Sequence, residues 1–147
     1  MIVPVDSLPP EHRELIQRAL GARAHAYAPY SNFWVGAAVR TESGAIYTGC
    51  NVENASYGLS VCAEVSSLTA AVSAGDMKVR AIAIVGGPSE GEGPLITPCG
   101  RCRQFISEFA QADRHDVLVL LADTAGLSAS EHSISELLPG AFQLLEK

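Results

Sequence analysis

Cys62, Ala63 and Glu64, followed far along the chain by Pro98, Cys99, Gly100, Arg101 and Cys102, are the residues whose types and spacing carry chemistry. Three cysteines in that arrangement can hold one zinc ion as thiolates. They leave the fourth tetrahedral corner open, the mark of a catalytic site rather than a structural one. Glu64 lies two residues past the first ligand. It is badly placed to replace a thiolate and well placed to move protons for a water at the open corner. Each cysteine group falls at the expected start of a helix. Unpaired N–H groups and the positive end of the dipole there favour thiolate over thiol. Cys99 and Cys102, three apart, share one side of a first helical turn. The alternative is a closed structural site with Cys50 as fourth ligand. Cys50, however, falls inside an expected strand without ligand spacing, in the manner of a small core residue. His12, His25, His115 and His132 are scattered and read as surface or capping residues.

The elements that must position these groups show in the hydrophobic period. Pro9-Pro10 opens a helix over Glu11–Ala26, with Leu15, Ile16, Ala19 and Leu20 on its apolar stripe. Trp34–Thr41 and Ala45–Val52 flank Ser43-Gly44 and predict a β-hairpin. Ser60–Ala74 is helical in period and stops at Gly75. Val79–Val85 and Val117–Ala122 are apolar, β-branched runs and read as buried strands. Gly86–Thr97 reads as a loop, and Cys99–Ala112 as a third long helix. Ser133-Ile134-Ser135-Glu136 has capping-box spacing before a short helix that Pro139-Gly140 ends. Strand–helix alternation after the hairpin predicts an α/β fold with helices packed on the sheet. The expected sheet is mixed and mainly parallel, with both ligand helices starting at its carboxyl edge.

The chain has 147 residues, the size of one domain, expected over 1–147. A formal net charge of -6 argues against nucleic acid and against an anionic membrane surface as partners. A small or neutral substrate fits better. Met1–Asp6 shows no basic, apolar export signal, and the longest apolar runs are too short to span a bilayer. A cytoplasmic location is expected. Thiols stay reduced there, so the cysteines are ligands or core residues rather than a disulfide framework.

Cys-x-Glu followed by Pro-Cys-x-x-Cys resembles the signature of zinc nucleoside deaminases in its three-cysteine form, a chemistry that general accounts of base deamination describe. The likeness runs from about Glu11 to Phe142 and is strongest to the small homotetrameric cytidine deaminases. Three more segments carry it: Tyr30–Ala38, Asn51–Gly58 and Leu137–Phe142. The resemblance implies a three-layer α/β/α sandwich and one zinc ion per subunit, held by Cys62, Cys99 and Cys102. It implies hydrolysis of cytidine or 2′-deoxycytidine to the uracil nucleoside and ammonia, in pyrimidine salvage. Glu64 would carry protons from water to ring N3 and later towards the departing ammonia. Asn51 and Glu53 would bind the ribose 3′-hydroxyl, and Ala63 would belong to the substrate site. Phe33 would pack on the substrate. Ala55 and Tyr57 would meet the sugar's 5′ end from a neighbouring subunit, and Phe142 would stack on the base from another. The residue chemistry agrees for Asn51 and Glu53: two apart at a strand end, their side chains point to the same side.

One position departs from the pattern. In many members of that family an arginine follows the catalytic glutamate and hydrogen-bonds ligand thiolates; here Val65 stands there. Three thiolates and one zinc ion sum to a charge of about -1, so a counterweight is needed. The two helix N-termini, with Arg101 or Arg103, are expected to supply it. Arg103 is expected to face solvent rather more than Arg101. Two related activities would share the zinc and glutamate motifs: deamination of a blasticidin-like aminoacyl nucleoside, and editing of nucleic acid. The Asn51/Glu53 pair and Tyr57 favour a plain nucleoside over the first. The acidic chain disfavours the second. A zinc-stabilised binding module would instead predict a closed site and unfolding on chelation.

Overall fold

The structure, a computed structural model, describes residues 1–144; the last residues of the span expected as one domain lie outside them. The elements in chain order are β1 (Val3–Pro4), α1 (Pro10–Arg23), β2 (Phe33–Thr41), β3 (Ile46–Cys50), α2 (Ala63–Ser73), β4 (Val79–Pro88), α3 (Gly100–Asp113), β5 (Leu118–Ala122), β6 (Ser128–Ser133) and α4 (Ile134–Leu137). The six strands form one sheet in the order β1-β6-β5-β4-β2-β3.

Strand alternation sends successive side chains to opposite faces, and β4 shows what each face buries. Ala81, Ala83 and Val85 join Leu15, Ile16 and Ala19 of α1 on one side. Ile82 and Ile84 join Leu68 of α2 and Ile106 of α3 on the other. The result is the expected three-layer α/β/α sandwich. β4 buries residues on both faces, which is why it reads as an unbroken apolar run.

The mixed sheet and the β2–β3 hairpin are as expected, but the parallel share is smaller. Among the named strands of the described residues, only β4–β5 pair in parallel; β1–β6, β5–β6, β2–β4 and β2–β3 are antiparallel. The strand–helix–strand order did fix direction. Because β2 is antiparallel to both β3 and β4, those two strands run the same way, and β5 with them. α2 carries the chain across β2, however, so β3 and β4 are never neighbours. The second cause is β6. Its sequence, Ser-Ala-Ser-Glu-His-Ser, has no alternating apolar signal, and it returns antiparallel beside β5 after the turn at Gly126.

Two helices lie backbone to backbone on the sheet. A Cβ at Gly36 of β2 would stand 2.1 Å from the Ala19 carbonyl oxygen and 2.5 Å from the Arg23 nitrogen of α1. A Cβ at Gly49 of β3 would stand 2.1 Å from Ser66 Oγ and 2.5 Å from the Ser67 nitrogen of α2. Only glycine permits such approach. Ser66 Oγ also donates to the Cys50 carbonyl at 2.9 Å, tying the first turns of α2 to the end of β3.

Candidate active site

Cys62 is the N-cap of α2 and Cys99 the N-cap of α3, while Cys102 stands in the first turn of α3. α2 follows the carboxyl end of β3 and α3 that of β4, so both helix starts meet at one sheet edge. There the three Sγ atoms lie within 4.8 Å of one another. A tetrahedral zinc site with bonds of about 2.3 Å needs sulfurs roughly 3.8 Å apart, so the triad fits the ion with little contraction. Cys50 is not part of this cluster, and burial raises its thiol pKa. Among the described residues the cluster thus has three cysteines, without the fourth that the closed alternative requires.

The electrostatics suit a cation. A hydrogen bond from Cys102 lowers the Cys62 thiol pKa to about 7, against burial and the nearby Glu64 charge; Arg101 helps lower it. The same contact, with burial, raises Cys102. A metal ion bound here would displace the thiol protons. Glu64 is buried, and that burial raises its carboxyl pKa. A buried carboxyl group whose proton affinity is raised beside the thiolates has the chemistry of a proton carrier.

The triad opens into a cavity of about 300 Å³ that also takes in Val35, Asn51, Glu53, Ala63, Glu64 and Ile96. Ala63 is fully buried there, and its amide is the first of α2, for which the helix supplies no acceptor. Asn51 and Glu53 do face the same cavity. The Asn51–Glu53 strip is held between Tyr27 and Val61 by main-chain hydrogen bonds of 2.8–3.0 Å. Both side chains are partly engaged already. Asn51 Oδ1 accepts from the Val35 amide at 2.9 Å, and Nδ2 donates to the Phe33 carbonyl at 2.8 Å. Glu53 accepts from the Tyr30 and Ser31 amides and the Ser31 hydroxyl, which lowers its pKa. Each keeps a lone pair or a proton for a ligand. Glu53 also lines an adjoining hollow with Tyr30 and Tyr57, whose rings meet edge to face at 5.8 Å.

Phe33, Ala55, Tyr57 and Phe142 do not line the thiolate cavity of this chain. Phe33 is partly exposed, and Tyr57 and Phe142 largely so. The main-chain carbonyl of Phe142 accepts from Gln104 Nε2. A larger hollow of about 470 Å³, between the end of α3 and Leu138–Gln143, holds none of the cysteines and lies apart from this chemistry.

A family model described as the cytidine and deoxycytidylate deaminase zinc-binding region matches residues 9–118. The chain belongs to the cytidine and deoxycytidylate deaminase family. A cytidine deaminase of Sporosarcina psychrophila is 43% identical over 129 residues, covering 88% of this chain and 89% of the relative. The 1.6 Å crystal structure of cytidine deaminase from Burkholderia pseudomallei superposes with a TM-score of 0.78 at 46% identity. It matches 89% of this chain and 98% of that one. Cytidine deaminase from Mycobacterium tuberculosis superposes at 0.74 with 38% identity, over 90% and 98%. The three-thiolate cluster, which could hold a metal ion, lies within the residues that this zinc-binding-region model matches.

Within this family frame the arginines divide differently from expectation. Arg103 does not face solvent. Its guanidinium donates to the Pro98 carbonyl at 2.7 Å and the Leu137 carbonyl at 2.8 Å, bracing the loop before Cys99 against α4. Arg101 is exposed, lines the cavity and acts on Cys62. Val65 is half-buried and brings no charge. Sequence reasoning missed Val35 and Ile96 as cavity walls. Val35 carried the signal of an inward strand residue, whereas Ile96 sat in a Gly/Pro-rich loop with no period to place it.

Proposed function

We propose that this protein is a zinc hydrolase that removes the exocyclic amine of cytidine, 2′-deoxycytidine or both, giving the uracil nucleoside and ammonia. One observation carries the reading: a three-thiolate centre, a buried carboxyl group and the Asn51/Glu53 pair share one cavity. Bound zinc would lower the pKa of water and so supply a nucleophile at neutral pH. Cys62, Cys99 and Cys102 hold the ion. Glu64 takes one proton of the attacking water and delivers it to ring N3; it then takes the second from the new C4 hydroxyl and gives it to the amine, so that the C4–N bond breaks as the C4 carbonyl forms and ammonia leaves. Its burial raises its proton affinity above that of an exposed carboxylate, the direction that favours a proton carrier. Asn51 and Glu53 hold the 3′-hydroxyl with their remaining hydrogen-bonding capacity. The unpartnered Ala63 amide faces the base, against which Phe33 packs.

The nucleoside is favoured over its 5′-phosphate. The hollow beyond Glu53 is lined by Tyr30, Ser31, Glu53, Tyr57 and Ser60, with no lysine or arginine. A phosphate there would meet the Glu53 charge. We further infer a cytoplasmic, single-domain protein of pyrimidine salvage that acts as a homotetramer. In it Ala55 and Tyr57 of one subunit and Phe142 of another complete each site. The exposed apolar side chains Tyr27, Val52, Tyr57, Leu59 and Phe142 support this, since isolated subunits seldom leave so many uncovered.

The test is zinc content together with cytidine turnover, followed by absorbance loss and ammonia release. Zinc-loaded protein should convert cytidine or deoxycytidine and leave cytidine 5′-phosphate untouched. Glu64→Ala should keep zinc and lose about 10²- to 10⁴-fold in rate, the span of a positioned acid–base group. Full zinc with no turnover of either nucleoside would sink the reading.

A further inference from the structure

Arg23, the last residue of α1, has no carboxylate partner among the described residues. Its guanidinium is spent on three main-chain carbonyls instead. Nε donates to Trp34 at 3.0 Å, and Nη2 donates to Gly87 at 3.1 Å and Pro88 at 2.6 Å. These oxygens belong to the facing ends of β2 and β4, where Trp34 pairs with Gly87 and Phe33 with Pro88. β5 supports β4 only as far as the Val85–Ala122 pair, so the tip of β2–β4 projects beyond the neighbouring strand.

That tip carries one wall of the cavity. A Cβ at Gly86 would lie 2.3 Å from Ile96 Cδ1, 3.1 Å from Val35 Cγ2 and 3.3 Å from Phe33 Cε2. Three apolar side chains thus converge over bare backbone, and two of them, Val35 and Ile96, face the thiolates. Asn51 grips Phe33 and Val35 from the β3 side, and Arg23 grips the residue between them from the α1 side. We propose that Arg23 is a positioning residue of the substrate site, fixing the β2–β4 tip so that Phe33, Val35 and Ile96 stand at the spacing a flat base requires. The inference rests on the nucleoside reading above. Arginine suits the task because its fixed fork reaches several acceptors at once, which a lysine point charge does not.

The test compares zinc-loaded Arg23→Gln and Arg23→Lys with Arg40→Gln. The last removes another tie between β2 and α1, from Arg40 to the Glu11 carbonyl, away from the cavity. Arg23→Gln should keep its zinc and raise the Michaelis constant for cytidine by about tenfold, the scale of a misfitted apolar wall, with a much smaller change in kcat. Arg23→Lys should fall between. Arg40→Gln should lower Tm and leave the Michaelis constant alone. Trp34, the single tryptophan, gives a reading without substrate. Its emission should shift to the red and its acrylamide quenching rise in Arg23→Gln but not in Arg40→Gln. A wild-type Michaelis constant in Arg23→Gln overturns the proposal, as does an equal effect in Arg40→Gln. Should Arg23→Gln not fold, Arg23→Lys decides by the same readings. If the wild-type protein turns over no cytidine, the substrate reading falls, and unchanged Trp34 emission and quenching then overturn the role of Arg23 separately.

Discussion

Charged side chains in this protein work through where their partners stand. Asp76 is the clearest case. One of its oxygens accepts from Thr41 at 2.7 Å, Ser43 at 2.8 Å and Tyr47 at 3.0 Å, joining the β2–β3 turn to the segment after α2. Thr41 chiefly, then Ser43, hold its pKa below the ordinary aspartate value. A depressed folded pKa contributes stability above the unfolded value, and that contribution is lost as pH falls through the folded one. Asp76→Asn should therefore lower Tm at pH 7. The gap from wild type should start to narrow as the pH falls below about 4, the ordinary aspartate value, and close below the lower folded one; an equal gap at neutral and strongly acid pH would refute this. Arg101 allows a second reading at the same scale. Its charge favours the Cys62 thiolate. In metal-free Arg101→Gln, Cys62 should be alkylated more slowly than in wild type at pH 7 and equally fast at pH 10. Mass spectrometry of the labelled peptides would measure it, and unchanged labelling would remove Arg101 as a counterweight. The ligands and Glu64 were legible because chemistry restricts which residues can serve. Arg103 was not, because the carbonyls it holds belong to loops whose approach only the fold decides.

The helices were legible in kind and the packing between them was not. The Ser133–Glu136 capping box formed as read: Ser133 accepts from the Glu136 amide, and the Glu136 carboxylate accepts from the Ser133 amide. Ser133→Ala should cost about 1 kcal/mol, visible as a Tm loss of about 2–4 °C for a chain this long. Gly36 and Gly49 gave no such signal, since a glycine in a strand could equally mark a bulge or a bend. Their meaning lies in the helix above each of them. Gly49→Ala should push α2 off β3, costing about 3 kcal/mol or more and lowering zinc affinity, because Cys62 caps that helix. Denaturant unfolding and metal titration would check both effects. A stable, zinc-tight variant would show the seam to be softer than its distances imply. Strand β6 escaped the sequence for a related reason: it pairs with β5 on one side and only two residues of β1 on the other. Its polar, serine-rich sequence is sustained by backbone hydrogen bonds that no side-chain period announces.

At the scale of the whole molecule, the centre ties the starts of two helices that otherwise share the core on one face of the sheet, through Leu68 and Ile106. Cys62 belongs to α2, and Cys99 and Cys102 to α3. Removing the metal should leave like charges or shared protons at their meeting point. Chelation should therefore lower Tm, and added zinc should restore it in proportion to the logarithm of free metal. A Tm indifferent to chelator in protein shown to have lost its zinc would mean the helices hold without it. Phe142→Ala should leave zinc content unchanged and raise the Michaelis constant if the tail of one copy serves another's cavity; light scattering on the same sample would report the copies present. These surfaces could be read from sequence only by resemblance, since an exposed tyrosine has no period that names its partner.

The placement of β2 between β3 and β4 also sets an order of events during folding. The chain must complete the hairpin, cross over with α2 and dock β4 against β2 before the start of α3 reaches Cys62. Those are long-range contacts, the slow kind to form. A nascent or partly unfolded chain therefore offers zinc only separate fragments of its site. Metal capture should be a late step in refolding, with a rate that follows sheet assembly rather than zinc concentration once the ion is in excess.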